Sequence, residues 1–266
     1  MKKNKCFDFT LVMSASVNPN GMNGISDESM QNREQQYIDT LKFYSRQKCI
    51  HKILFVDNSN WDLSKIKRAV GYEEKISYLS FDGNSFPRAW GKGYGEFLLM
   101  DKAIDYLSCN SGNSIIIKVT GRFPILNISS LVNEFSKRKN LQLAVDVVDN
   151  WIYRALKLKW SSQSCRTIIY ALTIDFYKKY LYGRYKEIHG SDGGFWDAES
   201  FMLSVSKDVR LLSGIYLRFK TEPWLSGFAG GKNHAWITAN NYDGVLAITK
   251  RVIKQFCRWV LPFLWL

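Results

Sequence analysis

Short runs of β-branched and apolar residues alternate with amphipathic segments of helix length throughout the first half of the chain. The run at Ser114–Val119 contains three consecutive isoleucines, a pattern typical of a strand buried on both faces of a parallel sheet. Because parallel neighbours need crossover connections, the alternation predicts right-handed βαβ units. The predicted strands are Phe7–Ala15, Lys52–Val56, Ile76–Phe81 and Ser114–Val119, and the predicted helices are Glu34–Arg46, Leu63–Val70 and Glu96–Leu107.

The second half of the chain is predicted to be less regular. No internal repeat or long linker separates it from the first half. The sequence therefore predicts an α/β fold with a mostly parallel sheet flanked by helices, in one domain over residues 1–243, followed by a tail over residues 244–266. The elements expected in this half are a strand at Leu141–Val148, a segment Thr167–Phe176 leading into a helix at Phe176–Lys186, a helix at Asp197–Ser206 and a strand at Arg210–Phe219.

The charge balance narrows the classes of partner. Among 266 residues, 37 are Lys or Arg and 24 are Asp or Glu, a formal net charge of +13, which favours phosphates, nucleic acid or an acidic membrane surface. The hydrophobic fraction of 46% excludes wholesale disorder.

The five cysteines are scattered and form no C-x-x-C pair, which argues against a disulfide scaffold or a zinc site and favours a reducing compartment. Neither a signal peptide nor a spanning helix is predicted.

The carboxyl end of the second predicted strand carries the first candidate ligand. Ligands of doubly wound sheets bind at the edge where the parallel strands end. Asp57 closes that strand and is followed by Asn-Ser-Asn, so its carboxylate is placed to accept hydrogen bonds from a ribose or a base. The alternative interpretation is an Asx turn or a helix N-cap.

Two cationic segments are candidates for binding phosphate. In the first, Arg88, Lys92 and three alternating glycines, among them Gly93, precede a predicted helix whose N-terminal amides attract anions. A tight turn is the alternative. In the second, alternation along the strand predicts that Lys118 and Arg122 share one face and clamp a diphosphate. A solvated sheet edge is the alternative there.

A Gly-rich, acidic and aromatic segment runs from His189 into the helix predicted at Asp197–Ser206. Asp197 and Glu199 lie at the start of that helix, beside Trp196. A carboxylate in this position is suited to remove a proton from a sugar hydroxyl while an aromatic ring stacks on the sugar. Helix capping is the alternative role for the acids.

The tail predicts an amphipathic helix at Lys250–Leu266. At about 100° per residue its four cations fall within one arc, and apolar side chains cover the other side. We expect such a helix to lie on an anionic membrane surface, with docking on the protein's own core as the alternative. The cations are Lys250, Arg251, Lys254 and Arg258.

These segments resemble a bacterial glycosyltransferase of the GT-A type, of the kind that builds surface polysaccharide such as lipopolysaccharide O-antigen, core or capsule. Val56–Ser59 is similar to the donor-base site of family 2 enzymes, and Asp197-Ala-Glu199 resembles the late acidic motif that supplies the catalytic base in inverting members. The resemblance implies a GT-A-like (Rossmann-like) sheet. It also implies a donor half at about residues 7–125 and an acceptor and catalytic half at about residues 140–243.

The chain departs from that family at the end of the fourth predicted strand. Lys118-Val-Thr-Gly-Arg122 stands where the family carries an Asp-x-Asp metal motif. This departure implies an enzyme with no metal or other cofactor, in which cations stabilise the leaving phosphate. Asp146 and Asp149 lie three residues apart on opposite faces of a strand and are predicted to be structural, with catalysis or binding of a sugar hydroxyl by one of them as the alternative. The donor nucleotide stays open between the UDP or GDP type and the CMP type.

The resemblance implies a single inverting displacement with the nucleotide-sugar as substrate. Either Glu199 or Asp197 would be the catalytic base. The acceptor would be lipid-linked or an oligosaccharide, at the cytoplasmic face of the inner membrane. Donor binding would fall to Ser14, Asp57, Arg88, Lys92, Gly93, Lys118, Thr120 and Arg122, and acceptor binding to Asp192, Trp196 and Trp224.

Two other classes of function remain as alternatives. The Tyr- and Lys-rich segment Phe176–Lys186 is suited to stack bases on a basic strip, as in a nucleic-acid-binding protein or a nuclease. No recognised reader motif accompanies it, and seven of the excess cations lie near the termini, so we expect no nucleic-acid partner. A catalytically inactive membrane scaffold is the third class.

Overall fold

The computed structural model describes residues 9–19, 30–71, 74–110, 115–149, 163–190, 193–226 and 245–261. Its strands are β1 (Phe9–Ala15), β2 (Lys52–Asp57), β3 (Ile76–Ser80), β4 (Ile115–Thr120), β5 (Leu143–Asp149), β6 (Gln163–Thr173) and β7 (Ile215–Tyr216). Its helices are α1 (Met30–Ser45), α2 (Ser64–Val70), α3 (Gly91–Asn110), α4 (Ile128–Ser136), α5 (Ile174–Tyr180), α6 (Ala198–Val209) and α7 (Val245–Val260).

The strands form one sheet in the order β3-β2-β1-β4-β6-β5-β7. β1 is buried along its whole length and pairs in parallel with β2 and β4. β6 runs antiparallel to both β4 and β5. The first residues of β6 therefore lie at the same edge of the sheet as the carboxyl ends of β1 and β4. The predicted fold class, α/β with a mostly parallel sheet, flanking helices and a C-terminal helix, is confirmed.

Helices cover both faces of the sheet because successive strand residues point to opposite sides. In β1, Leu11 and Met13 pack with α1, α2 and α4, whereas Val12 packs with α3, α5 and α6. β4 follows the same pattern: Ile117 belongs to the first layer and Ile116 to the second. The run of three isoleucines thus fills two cores at once, as its composition predicts.

Three element boundaries differ from the sequence prediction. α3 begins at Gly91 rather than Glu96, so the glycine segment forms the first helical turn. The predicted helix Phe176–Lys186 is divided into α5 and a 3-10 turn, because Gly183 adopts a φ of 77° that interrupts the helix. Of the predicted strand Arg210–Phe219, only the two residues of β7 pair with the sheet.

Three of the four cations of α7 face the protein, which reverses the orientation expected for a helix lying on an anionic membrane. The Arg258 side chain is 1% exposed, the Lys254 ammonium lies 3.8 Å from Glu222 Oε1, and the Arg251 guanidinium lies 5.5 Å from the centre of the Trp224 ring. Six apolar side chains point outward instead, each 50–69% exposed: Ile248, Val252, Ile253, Phe256, Trp259 and Val260. Within the described part of the chain, no helix is long and apolar enough to span a membrane.

A buried ionic network fixes α7 to the sheet. Arg258 donates two hydrogen bonds to the carboxylate of Asp146 in β5, at 2.8 and 2.9 Å, and one to Glu222 Oε2 at 2.7 Å. Arg166 in β6 donates to both of these carboxylates, at 3.0 and 3.2 Å. Burial disfavours the charged form of Asp146, but Arg166 and Arg258 outweigh burial and hold the pKa of this carboxyl below its usual value. The structural role predicted for Asp146 is confirmed.

Candidate active site

Polar side chains from four elements meet where β4 ends and β6 begins. We call this set, made of Glu96, Lys118, Thr120, Thr167 and Glu199, the strand-edge cluster. Lys118 is fully buried, and its ammonium contacts a carboxylate oxygen of Glu96. The ammonium also donates to Thr120 Oγ1 at 3.2 Å and to the backbone carbonyl of Thr167 at 2.7 Å. An ammonium removed from water needs such a counter-charge and such acceptors, so this lysine holds β4, β6 and α3 in a fixed arrangement.

Glu199 joins this cluster from the first turn of α6. Thr167 Oγ1 lies 3.5 Å from its Oε1. Burial is the main cause that raises the pKa of the Glu199 carboxyl above its ordinary value, and the Lys92 ammonium opposes this shift. The carboxylates of Glu96 and Asp197 raise the pKa further. A partly buried carboxylate with increased proton affinity, at the ligand-binding edge of an α/β sheet, has the properties of a general base.

Asp197 has a different role from Glu199 in this structure. It is the N-cap of α6: its Oδ1 accepts a hydrogen bond from the backbone N–H of Ser200 at 2.6 Å, and Ser200 Oγ completes a capping box. Asp197 is exposed and its carboxylate is engaged in this cap. The capping alternative therefore describes Asp197, while Glu199 reaches the strand-edge cluster.

Asp57 organises the loops at the ends of β1 and β2 rather than presenting a free carboxylate. It is fully buried, and its oxygens accept hydrogen bonds from the backbone N–H groups of Val17, Ser59 and Trp61, at 2.9, 3.0 and 3.1 Å. The Ser80 hydroxyl adds another at 3.2 Å. The prediction that Asp57 binds a nucleoside is therefore corrected. Its carboxylate oxygens accept hydrogen bonds within the protein, as the alternative Asx-turn interpretation expects.

The predicted clamp of Lys118 and Arg122 is wrong, because the two cations lie on opposite faces of the sheet. Lys118 points toward α3, whereas Arg122, also buried, donates to Gln36 Oε1 of α1 at 2.9 Å. The alternation ends with β4 at Thr120. At Gly121 the chain turns across the end of β1, where the Gly121 N–H donates to the carbonyl of Ser14 at 2.8 Å. Ser14 Oγ in turn donates to the Val119 carbonyl at 3.3 Å, which ties β1 to β4.

The predicted phosphate-binding segment divides into exposed cations and a buried glycine. Arg88, in a 3-10 turn, and Lys92, in the first turn of α3, are exposed at the ligand-binding edge. Gly93 is buried against the start of α6: a Cβ at this position would lie 2.7 Å from the backbone nitrogen of Ala198. The expected contact of Gly93 with a ligand is therefore corrected to a close approach of two helices.

Replacing Gly93 with Ala tests this close approach. We expect an overpacking cost of about 1–3 kcal/mol, larger than the gain of up to about 1 kcal/mol in helix propensity, so the free energy of unfolding falls. Urea denaturation measures the change. Lys102→Ala, at an exposed position of the same helix, is the control and should leave stability nearly unchanged. Undiminished stability of the Gly93 variant would contradict the assignment.

The aromatic candidates lie in two separate places. Trp196 is 78% exposed, directly before the cap of α6, and its ring passes close to Gly190. Trp224 packs under Arg251 of the C-terminal helix instead, and its backbone N–H donates to Asn127 Oδ1 at 2.8 Å. Trp196 is three residues before Glu199 in the chain, whereas Trp224 lies beside the C-terminal helix. The third candidate for the acceptor site, Asp192, lies outside the described residues.

An aromatic cluster that the sequence analysis did not single out borders the start of α3. The ring centres of Trp90 and Tyr94 are 4.8 Å apart, and Tyr94 also contacts Phe86 and Tyr185, at 4.4 and 5.0 Å. The Trp90 ring lies 6.5 Å from that of His189. Aromatic surfaces of this kind suit the apolar faces of sugar rings.

Sequence reasoning also missed Glu96 and Thr167. A signal for Glu96 exists: a lysine in an otherwise apolar, doubly buried strand requires a carboxylate partner, and the helices packed on the sheet are the elements that can supply it. The Thr167 carbonyl carried no such signal. Among the described residues, no group of three or more His, Cys, Asp or Glu side chains is arranged to hold a metal ion.

Two aromatic rings of the segment proposed to stack nucleic-acid bases are part of the core. Phe176 and Tyr177 are buried between α5 and α3, and the Tyr177 hydroxyl donates to Asp101 Oδ1 at 2.8 Å. The Tyr182 hydroxyl donates to Asp105 Oδ1, also at 2.8 Å. Because the rings of Phe176 and Tyr177 are buried, they cannot stack on bases, and this weakens the nucleic-acid-binding alternative.

Comparison with solved structures finds similarity to two classes of enzyme, nucleotidyltransferases and glycosyltransferases. The 4-diphosphocytidyl-2C-methyl-D-erythritol synthase of Anaerococcus prevotii is 13% identical, with a TM-score of 0.47, over 93% of this chain and 96% of that one. A putative glucose-1-phosphate thymidylyltransferase of Bacillus anthracis is 12% identical, with a TM-score of 0.47, over 93% and 94%.

Core-mannan synthase A of Aspergillus fumigatus, in a Mn/GDP form, is 8% identical, with a TM-score of 0.44, over 79% of this chain and 70% of that one. No protein-family model and no curated protein matches the chain. At these identities the likeness concerns the path of the chain, and the chemistry of the site rests on the residues described above.

Proposed function

We propose that this protein is a glycosyltransferase that moves a sugar from a nucleotide-sugar to a lipid-linked or saccharide acceptor in bacterial surface polysaccharide synthesis. The observation that carries the proposal is Glu199: a partly buried carboxyl of raised pKa at the ligand-binding edge of the sheet, beside a buried Lys118–Glu96 ion pair. Glu199 acts as the general base that removes the proton of the acceptor hydroxyl. The hydroxyl oxygen then displaces the nucleotide from the sugar in a single inverting step.

Fixed positive charge stabilises the departing phosphates in this proposal. Arg88 and Lys92 are exposed at the start of α3, where the helix amides add to their field. Lys118 adds a buried positive charge within the strand-edge cluster. Because Lys118 and Thr120 occupy the strand end where the resembling family carries its metal-binding acids, we propose that transfer needs no divalent metal.

The acceptor is proposed to bind over Trp196 and the aromatic cluster of Trp90 and Tyr94. Trp196 lies three residues before Glu199, so a sugar stacked on this ring brings a hydroxyl near the base. A lipid-linked acceptor would place the enzyme at the cytoplasmic face of the inner membrane.

Nucleotide binding tests the donor site directly. A panel of UDP, GDP, CMP, dTDP and ADP, each with Mn²⁺ and with EDTA, is measured by thermal shift. At about 100-fold excess over Kd one of them should add about 2.7 kcal/mol, which raises the Tm by roughly 5–10 °C, equally with EDTA and with Mn²⁺. The double variant Arg88→Ala/Lys92→Ala should lose most of this shift, whereas Lys102→Ala should retain it.

Two results would count against the proposal. No shift with any nucleotide would contradict nucleotide-sugar chemistry. A shift that appears only with Mn²⁺ would contradict metal-independent transfer and leave the donor class standing.

A further inference from the structure

The outward face of α7 is an apolar surface with no charge on it. At about 100° per residue, the six exposed apolar side chains fall within an arc of about 140°. The arc includes Trp259, 69% exposed, and Phe256, 57% exposed. Of the four cations of this helix, Arg251, Lys254 and Arg258 face the protein, and Lys250 lies at the margin.

This arrangement is the reverse of an ordinary surface helix, in which the apolar stripe faces the core. The buried Asp146 and Glu222 determine it, because they bind Arg258 and so rotate the apolar side outward. The ionic network thereby presents the apolar face instead of hiding it. In the sequence, the apolar pattern continues without a charge through residues 261–266.

A second copy of the chain fits this surface less well than a lipid bilayer does. Six side chains that are 50–69% exposed present roughly 300–600 Å² in all, for complete side chains of about 150–250 Å² in the two aromatics and about 60–120 Å² in the four aliphatics. A contact between two single helices buries only part of that area, and a stable interface needs about 800 Å² per partner. A bilayer accepts a convex apolar face of any outline, and tryptophan favours the depth of the headgroups.

We propose that the apolar face of α7 inserts into the interface of a lipid bilayer, and that this attachment depends on apolar burial rather than on anionic lipid. The inference refines the location given under the proposed function, and its test does not require transferase activity. Because three of the four cations are engaged by the protein, anionic lipid should add little to binding.

The test is flotation of the full chain with vesicles of phosphatidylcholine alone and with vesicles that also contain phosphatidylglycerol. We expect binding to both, less than about tenfold apart, that persists in about 0.5 M NaCl, where the Debye length is only about 4 Å. Phe256→Ser and Trp259→Ser should each weaken binding by about tenfold or more, because each removes a side chain from the apolar interface.

Leu211→Ser is the matched control, because Leu211 is an apolar residue that is 90% exposed outside α7. This variant should bind vesicles as the unchanged protein does. Binding that requires phosphatidylglycerol and disappears at high salt would overturn the inference. A dimer in solution that Phe256→Ser dissociates, measured by light scattering, would overturn it as well.

The nucleotide thermal shift separates this inference from the proposed function. Phe256→Ser and Trp259→Ser should leave that shift unchanged, because both positions lie outside the strand-edge cluster. If the protein binds vesicles but no nucleotide shifts its Tm, the transferase proposal is rejected and the membrane-binding inference stands. If a nucleotide shifts the Tm but the protein does not bind vesicles, only the membrane-binding inference is rejected.

Discussion

Replacement of Glu199 by Gln is expected to lower the rate of sugar transfer by 10²- to 10⁴-fold, the usual contribution of a general base. Gln keeps the size of the side chain and its hydrogen-bonding capacity toward Thr167, but it cannot accept a proton. The loss should therefore fall on kcat, with little change in the KM for the nucleotide-sugar or in the Tm. Initial-rate kinetics with saturating donor measure it.

The pH profile adds a readout that a purely structural role would not change. Burial raises the pKa of Glu199, so the base takes up its proton, and activity declines, at a pH above the ordinary glutamate value of about 4.3. This acid limb should disappear from the residual activity of Glu199→Gln. Asp197→Asn is the matched control, because Asn also caps helices well and should retain most activity. Full activity of Glu199→Gln would remove Glu199 from the role of base.

Replacement of Arg258 by Met is expected to lower the free energy of unfolding by about 3–5 kcal/mol, the cost of breaking one side of a buried ion pair. Met retains most of the apolar stem, so the loss reports the guanidinium. Without it, Arg166 still donates to both Asp146 and Glu222, and Lys254 lies farther away. Urea denaturation followed by circular dichroism measures the change.

Lys250→Met is the control for this experiment, since it removes an exposed cation from the same helix and should change stability by less than about 0.5 kcal/mol. Acid provides a second check. The folded-state pKa of Asp146 is lowered, so its stabilising contribution is complete above the unfolded value of about 3.9 and is lost as the pH falls through the folded value. In Arg258→Met this acid-dependent contribution should shrink. Equal stability of the two variants would contradict the network.

The central sheet could be predicted from the sequence because the composition of each strand is enough to identify it. β1, β2 and β4 are continuous apolar runs bounded by turn residues, and burial on both faces requires that composition. The start of α3 was missed because three glycines locally favour a turn. The reason for Gly93 lies far away in the sequence, because it packs against Ala198, about one hundred residues later.

In the candidate site, too, residues with a local sequence signal could be predicted, and contacts between segments distant in sequence could not. Glu199 was recognisable as an acid in the first turn of an amphipathic helix beside an aromatic residue. The partners of Lys118 were not, because they come from α3 and β6, and a strand pattern does not say which helix covers it. The orientation of the C-terminal helix was likewise unpredictable: a helical wheel defines two faces, and the carboxylates of Asp146 and Glu222 decide which one is buried.

The distance along the chain between Asp146 and Arg258 has a consequence for biosynthesis. The two residues are 112 positions apart, and a ribosome adds about 5–20 residues per second. For roughly 6–22 s the nascent sheet therefore contains a carboxylate that has Arg166 but still lacks the second of its two arginine partners. During that interval Arg166 is the cation that can pair with Asp146, so this part of β5 keeps some contact with water until α7 docks. Docking of α7, rather than completion of the sheet, would then be the event that seals this side of the protein.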